Sequence, residues 1–352
     1  MCINCWVRFN DVNKHIMTMI IPTYNRSDRL VSLVEYLINI FDLTETKILI
    51  LDGSDTRMIN PSKDWEQNSI YYKYYGSDMP ILERWLDGLK NTDTELVGIV
   101  ADDDIPHPEG YRKCIEFLQA NKEYNVAHGT YTGFEINNHN KINYYSCYKP
   151  FSIEDDNPIQ RLYNFLNNYV PITYAVYRTE VLKTAFQEVV DSVDSDDYHW
   201  FELLLGCIPV VLGKVKYLNY PYYARNYGVS IQRPSIIYYR LFYDESFSSK
   251  YRRIKDAILR NFLSREDIEK ISDGIDISFA AYHSSFFNKN EITKDFNALV
   301  SSQNNGYIKN YFYNKLKIIY QKLYLTKNQI LGLFHNDFFS TSIKKAYFNK
   351  NE

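Results

Sequence analysis

Leu96-Val97-Gly98-Ile99-Val100-Ala101-Asp102-Asp103-Asp104, followed by Ile105-Pro106-His107-Pro108, is the stretch whose reading decides the fold. Strands buried in parallel sheets read as uninterrupted apolar runs. Open α/β sheets bind their ligands beyond the carboxyl ends of such strands. Three adjacent carboxylates repel one another unless a cation joins them. Hard divalent ions such as Mg²⁺ or Mn²⁺ take oxygen ligands and are often shared with substrate phosphates. The stretch therefore predicts an enzyme that holds a diphosphate through a metal. In an extended segment Asp102 and Asp104 face one way and Asp103 the other. One or two of them can then bind the ion while another accepts hydrogen bonds from a ribose. An acidic turn that merely caps the next helix is the plainer reading of the same residues.

Working outward, Thr18–Pro22 reads as a first buried strand and Thr23–Arg26 as a turn. Ser27 or Asp28 can cap a helix whose apolar positions Leu30, Leu33, Val34, Leu37 and Ile38 keep helical spacing. Lys47–Leu51 is a second strand closed by Asp52-Gly53-Ser54, and Ile70–Tyr75 a third. A helix is expected over Ile81–Leu89 and another over Pro108–Asn121, where the proline costs no hydrogen bond. Strands alternating with helices predict an α/β fold with a mostly parallel sheet and right-handed crossovers. After Asn125 the order blurs. Strand-like pieces (Val126–His128, Lys141–Tyr145, Thr173–Tyr177) alternate with helices near Asn157–Asn167 and Thr179–Val190. A short helix is expected at Tyr198–Leu205 and a strand at Val210–Val215. From Ser235 the pattern is helical and polar. The expected division is a variable lead over 1–16, an α/β domain over 17–234, and a helical C-terminal extension over 235–352.

The chain has 352 residues, 45% apolar and 24% charged, with a net charge of −3, and so gives no overall nucleic-acid footprint. The charge is uneven. From Tyr238 onward 18 Lys and Arg face 12 Asp and Glu, and Tyr307–Lys350 carries eight lysines and one acid, Asp337. A basic, aromatic stretch of this kind can rest on an anionic membrane surface. A solvated pair of terminal helices is the alternative. No apolar run approaches the roughly 18 residues of a spanning helix, and Met1–His15 lacks a signal-peptide core. The five cysteines are scattered and odd in number, and Cys2-x-x-Cys5 has no second pair to complete a zinc site. The absence of a disulfide framework favours a cytosolic protein.

Three motifs in order carry a resemblance. Ile20-Ile21-Pro22-Thr23-Tyr24-Asn25-Arg26, Leu49-Ile50-Leu51-Asp52-Gly53-Ser54 and Val100-Ala101-Asp102-Asp103-Asp104-Ile105 resemble the strand ends of GT-A fold glycosyltransferases. The similar group is the family 2-like inverting enzymes of bacterial surface-polysaccharide synthesis, and the likeness spans about residues 18–230. It implies that Pro22, Thr23 and Tyr24 line the nucleotide base and ribose, and that Asp52 hydrogen-bonds the base, commonly uracil. An Asp-Gly turn favours an aspartate at position 52 in any case. Aligning Ile105 puts the metal on Asp103 and the ribose on Asp102, and a shift of one residue puts the metal on Asp104. Arg26 would join the donor pocket. Arg84 lies where the family often places a polar residue near the sugar nucleotide, and Arg225 where it supplies a basic group to the diphosphate.

An inverting transfer needs a base for the acceptor hydroxyl, and the metal offsets charge on the departing diphosphate. In the resembled family the base comes from an acidic motif at or before a helix. Here the candidates lie in Asp194-Ser195-Asp196-Asp197-Tyr198-His199-Trp200-Phe201-Glu202, and the family's usual Glu-Asp pair is absent. Glu202, set among Trp200, Phe201, Leu203 and Leu204, is expected to be partly buried and to need a partner or a task. Asp197 is the other choice, although it can also cap the helix. Two further readings compete. A sugar nucleotidyltransferase would share the core and metal but usually carries a glycine-rich basic loop after the first strand. A non-catalytic nucleotide-sugar or carbohydrate-binding protein would keep the fold without transfer. The favoured reading has a nucleotide sugar and a glycan or lipid-linked acceptor as partners, at the inner face of the membrane.

Overall fold

The computed structural model describes residues 15–57, 63–137, 139, 141–228, 245–262 and 267–286. The lead before His15, the expected boundary near Arg233–Pro234 and the basic stretch Tyr307–Lys350 lie outside them.

The first half alternates as the apolar runs predict. β1 (Met17–Thr23), α1 (Ser27–Ile40), β2 (Thr46–Asp52), α2 (Lys63–Gln67), β3 (Ile70–Tyr74), α3 (Ile81–Lys90) and β4 (Leu96–Ile99) follow in order. β3, β2, β1 and β4 lie side by side and parallel. Their carboxyl ends, Thr23, Asp52 and the residues after Ile99, therefore meet at one edge of the sheet. β1, β2 and β4 are buried on both faces, as helix-covered parallel strands require, while the edge strand β3 is buried only at Ile70.

The second half is mixed. It comprises β5 (Ile105–Pro106), α4 (Pro108–Ala120), β6 (Tyr124–Ile136), β7 (Ile142–Ser146), α5 (Pro158–Asn167), β8 (Val176–Arg178), α6 (Thr179–Ser192), α7 (Tyr198–Leu212) and β9 (Lys214–Asn226). The sheet continues from β4 through β8, β6 and β9 to β5, with β7 on β6. β8 is antiparallel to both β4 and β6, and β9 is parallel to β6. The fold is thus α/β with a sheet that begins parallel and ends mixed.

Three local expectations are corrected. α1 has Arg26 at its N-cap with no side-chain cap hydrogen bond, so neither Ser27 nor Asp28 caps it. The strand expected at Thr173–Tyr177 starts only at Val176, as the three-residue β8; the residues before it form a turn closed by Ala175 N donating to Ile172 O. Of the strand expected at Val210–Val215, Val210–Leu212 are instead the end of α7, which runs on through Pro209 to Leu212, and the strand, β9, begins only at Lys214. An all-round apolar run does not distinguish a buried helix from a buried strand. α7 is buried on nearly every side between the sheet and its neighbouring helices.

The C-terminal end of α7 is held by one buried arginine. Arg161 on α5 donates from Nε to Val210 O and from Nη2 to Val211 O, both at 2.7 Å, and from Nη1 to Asp155 O and Asp156 O. It satisfies carbonyls that a helix end otherwise leaves orphaned. Two later helices, α8 (Phe247–Arg260) and α9 (Ile268–Phe286), join the same core through Ile254, Ala257, Ile258, Ile275, Phe279 and Tyr282. No helix among the described residues is long and apolar enough to cross a membrane.

Candidate active site

A cleft of about 840 Å³ opens at the carboxyl edge of the parallel strands. That lies in the range of roughly 300–1,000 Å³ usual for ligand sites. Of the residues singled out from sequence, it brings together Pro22, Thr23, Tyr24, Arg26, Arg84, Asp102, Asp103, Asp104, Glu202 and Arg225. Asp52 and Asp197 are not in its lining.

The loop after β1 is fixed by hydrogen bonds to the loop after β2. Asn25 adopts φ 52°, a left-handed conformation that asparagine tolerates. Its backbone N donates to Ser54 Oγ at 2.9 Å, and its Nδ2 donates to Asp55 Oδ2 at 2.7 Å. Tyr24, half exposed, donates its hydroxyl to Asp55 at 3.1 Å. The ring of Tyr24 is thereby presented at the cleft rim.

Asp52 is buried behind that rim, and it accepts from Ser54 N at 2.9 Å, from Ser54 Oγ and from Tyr72 Oη. Its place in the cleft is taken by Arg84 from α3. Arg84 is only 4% exposed, and its Nε has no hydrogen-bond partner. Burial pulls its pKa down, and the nearby Asp52 carboxylate opposes that pull. The guanidinium lies on Gly53 so closely that a Cβ there would stand 0.8 Å from Nη1. A buried guanidinium that makes no ion pair among the described residues is costly unless a ligand supplies the anion or acceptor.

The acid run forms a turn rather than an extended segment, with Asp104 N donating to Ala101 O at 3.2 Å. Asp102 and Asp103 converge on Arg26, whereas Asp104 points elsewhere. Asp102 accepts from Thr23 Oγ1 at 2.8 Å and pairs with Arg26 at 2.9 Å. Asp103 pairs with the same Arg26 nitrogen at 3.1 Å and with Arg29 at 3.7 Å. Asp104 turns inward and accepts from Asn226 N at 2.8 Å, which ties the acid turn to the end of β9. Burial, helped by the Asp103 charge, pushes Asp104 up to about 7, while Arg225, Asn226 and Tyr223 pull it down. Burial also raises Asp102, against the pull of Arg26 and Thr23.

Among the described residues no group of three His, Cys, Asp or Glu surrounds a point that a metal could occupy. A magnesium-like ion needs only one or two carboxylates when phosphates and water complete its shell. Asp103 is 13% exposed, against 5% for Asp102, and offers such a ligand at the cleft wall. The donor set fits an ion that the substrate helps to hold, and does not fit an all-protein cage.

The far wall comes from α7 and β9. Glu202 lies on α7, half-buried and facing the cleft, between the buried Phe201 and Leu203. Asp197 is the N-cap of α7, accepting from Trp200 N, and it pairs with Lys250 of α8 at 2.7 Å. Its carboxylate is thus occupied by the helix end and a lysine, away from the cleft. Arg225 is held over the Tyr174 ring at 5.2 Å and donates to Tyr148 Oη. Sequence reasoning did not place Ile81, Leu82, Trp85, Thr173, Tyr174, Tyr198, Phe201, Asn226 or Tyr227 in the cleft. Two signals were readable in advance. Tyr198 is one helical turn from Glu202, and Asn226 and Tyr227 directly follow Arg225.

No curated protein matches the chain. The family model described as "Glycosyl transferase family 2" matches residues 18–186, which covers the acid turn and stops before Glu202 and Arg225. Among solved structures, S. aureus TarS 1-349 aligns with TM-score 0.52 at 19% identity, covering 78% of this chain and 73% of that one. TarS 1-349 in complex with UDP aligns with TM-score 0.50 at 20% identity, over 74% and 70% of the two chains. The complex with UDP-GlcNAc aligns with TM-score 0.50 at 18% identity, over 74% and 71%. At such identities the likeness is one of fold. The motif order, the cleft and the family match agree on a family 2-like glycosyltransferase domain of GT-A fold over residues 18–186 of the chain.

Proposed function

We propose that the chain transfers a sugar from a nucleoside-diphosphate sugar, with uridine as the nucleoside, to a hydroxyl of a glycan or glycolipid acceptor, with inversion. The observation that carries this reading is Arg84. It is a buried guanidinium with no ion pair among the described residues, set in the same cleft as Asp103, which is paired with Arg26 and Arg29, and a carboxylate, Glu202, on the opposite wall. The complexes of S. aureus TarS, which is similar in fold, with UDP and with UDP-GlcNAc support the choice of donor.

In this reading Tyr24 and Pro22 receive the base, Thr23 and Asp102 the ribose, and Arg84 the base or the nearer phosphate. Asp52 acts from behind by holding the Gly53-Ser54 turn on which Arg84 rests. Asp103 would hold a divalent cation, Mg²⁺ or Mn²⁺, at the diphosphate end of the cleft. When bound, that ion offsets charge on the leaving diphosphate. Arg26 and Arg29 offset the acid charge at the same wall, and Arg225 faces the leaving phosphate. Glu202 takes the proton from the acceptor hydroxyl as it attacks the anomeric carbon. Helices α8 and α9, from the segment assigned as a C-terminal extension, brace α7 and thus Glu202. The expected setting is bacterial surface-polysaccharide synthesis at the cytoplasmic face of the membrane.

The test is calorimetric titration of UDP-sugars with and without Mn²⁺. The reading predicts saturable one-to-one binding that Mn²⁺ strengthens. It also predicts that Asp103→Asn removes the Mn²⁺-dependent gain while keeping the metal-free affinity. Absence of binding by any UDP-sugar, with or without the ion, refutes it.

A further inference from the structure

The wall of the cleft around Glu202 carries two exposed tyrosines that the donor does not need. Tyr198 is the first residue of α7 and is 38% exposed, and Tyr227 follows β9 and is 40% exposed. Both line the cleft with Glu202. The four-residue spacing stacks Tyr198 and Glu202 on one helical face. Tyr227 is fixed in place. Its backbone N donates to Phe134 O at 2.8 Å, its hydroxyl meets Cys147 Sγ at 2.8 Å, and the Tyr145 ring stands edge-on at 6.4 Å. Its ring rests on Gly133 of β6, where a Cβ would come within 2.2 Å of Cε2. The backbone of β6 is bare at the point where an aromatic ring is seated.

Exposed aromatic rings held rigid lose little entropy on binding, and they offer flat apolar faces with a polar tip. Beside a carboxylate that would accept a hydroxyl proton, the matching ligand has one flat C–H face and hydroxyls at its edge. A pyranose ring has that shape, and an open-chain polyol does not.

We propose that Tyr198 and Tyr227 form an acceptor subsite that selects a pyranose ring and presents its hydroxyl to Glu202. This inference rests on the transferase reading above. The remaining aromatic residues of the cleft divide accordingly, with Tyr24 at the donor end and Tyr174 beneath Arg225.

The experiment is saturation-transfer NMR on the full chain, with and without UDP. The probes are methyl β-D-glucopyranoside, methyl β-D-galactopyranoside and ribitol. The expected result is saturation on the ring C–H protons of at least one pyranoside and none on ribitol. Tyr198→Leu and Tyr227→Leu are each expected to weaken pyranoside binding about tenfold, while Tyr198→Phe, which keeps the ring, retains it. Equal signals from ribitol and the pyranosides, or no pyranoside signal in the wild type, overturn the subsite without recourse to any variant. Leucine variants that bind the pyranoside as the wild type does also overturn it. UDP affinity is titrated separately on the same samples. Loss of UDP binding in the wild type counts against the donor reading, whereas the pyranoside comparison decides the subsite in either case.

Discussion

Replacing Gly53 with alanine tests the placement of Arg84 without touching Arg84 itself. The new Cβ would stand 0.8 Å from Nη1, 2.0 Å from Cζ and 2.7 Å from Nη2 of Arg84. The guanidinium must retreat by about 2–3 Å to restore an ordinary contact near 3.5 Å. Gly53 does not occupy the left-handed region, so alanine imposes no backbone strain there, and the fold should persist with a near-normal Tm. A hydrogen bond to a charged group contributes about 1.5–3 kcal/mol. Displacing Arg84 should therefore weaken UDP binding by roughly 10- to 150-fold. Arg84→Ala removes the same contact. The double variant should then bind no more weakly than Arg84→Ala alone, because both changes act on one interaction. Calorimetric titration of UDP across the four proteins gives the coupling directly. Wild-type affinity in Gly53→Ala, or losses that add in the double variant, would refute the reasoning.

Three further outcomes follow from the same geometry. Glu202→Gln should leave UDP affinity intact and lower turnover by about 10²- to 10⁴-fold, whereas Asp197→Asn should act on thermal stability through the α7 cap and Lys250. Arg161→Ala should cost about 2–4 kcal/mol in denaturant unfolding, because it orphans the buried carbonyls of Val210 and Val211. His128 is fully buried, and burial lowers its pKa from the usual 6.5 to about 4. Between those values the unfolded chain takes a proton that the folded chain refuses, so stability falls on acidification through that window. The effect reaches about 3 kcal/mol at the acid end. Asp104, raised to about 7, works in the opposite sense. The measurable quantity is therefore the difference between wild type and His128→Gln, and the variant should lose about one proton of pH dependence between pH 6.5 and 4 in urea titrations.

The first half of the fold was legible because β1, β2 and β4 are apolar runs that end in polar turns. Pattern and burial then agree at Ile20–Ile21, Ile48–Leu51 and Leu96–Ile99. Legibility failed where one apolar run served a different element. Leu203–Val211 is apolar in either reading, and only its packing between sheet and helices makes it helix to Leu212. At the site, residue type and order were visible but orientation was not. Nothing local shows that Asp104 turns inward to Asn226, 122 positions away, or that Arg26, just ahead of α1, pairs with Asp102 and Asp103. The exchange of places between Asp52 and Arg84 depends on Gly53 lacking a side chain. That becomes apparent only when α3 packs against the β2 loop. Glu202 and Asp197 are equivalent in sequence, and one ion pair with Lys250 separates them in space.

The most direct measurement is a crystal structure of the chain soaked with UDP and Mn²⁺. The account predicts the uracil beside Tyr24, the guanidinium of Arg84 in contact with the nucleotide, and the ion between Asp103 and the diphosphate. The space between the terminal phosphate and Glu202 should remain open to solvent. Nucleotide bound outside this cleft, or within it with Arg84 and Asp103 untouched, would contradict the account.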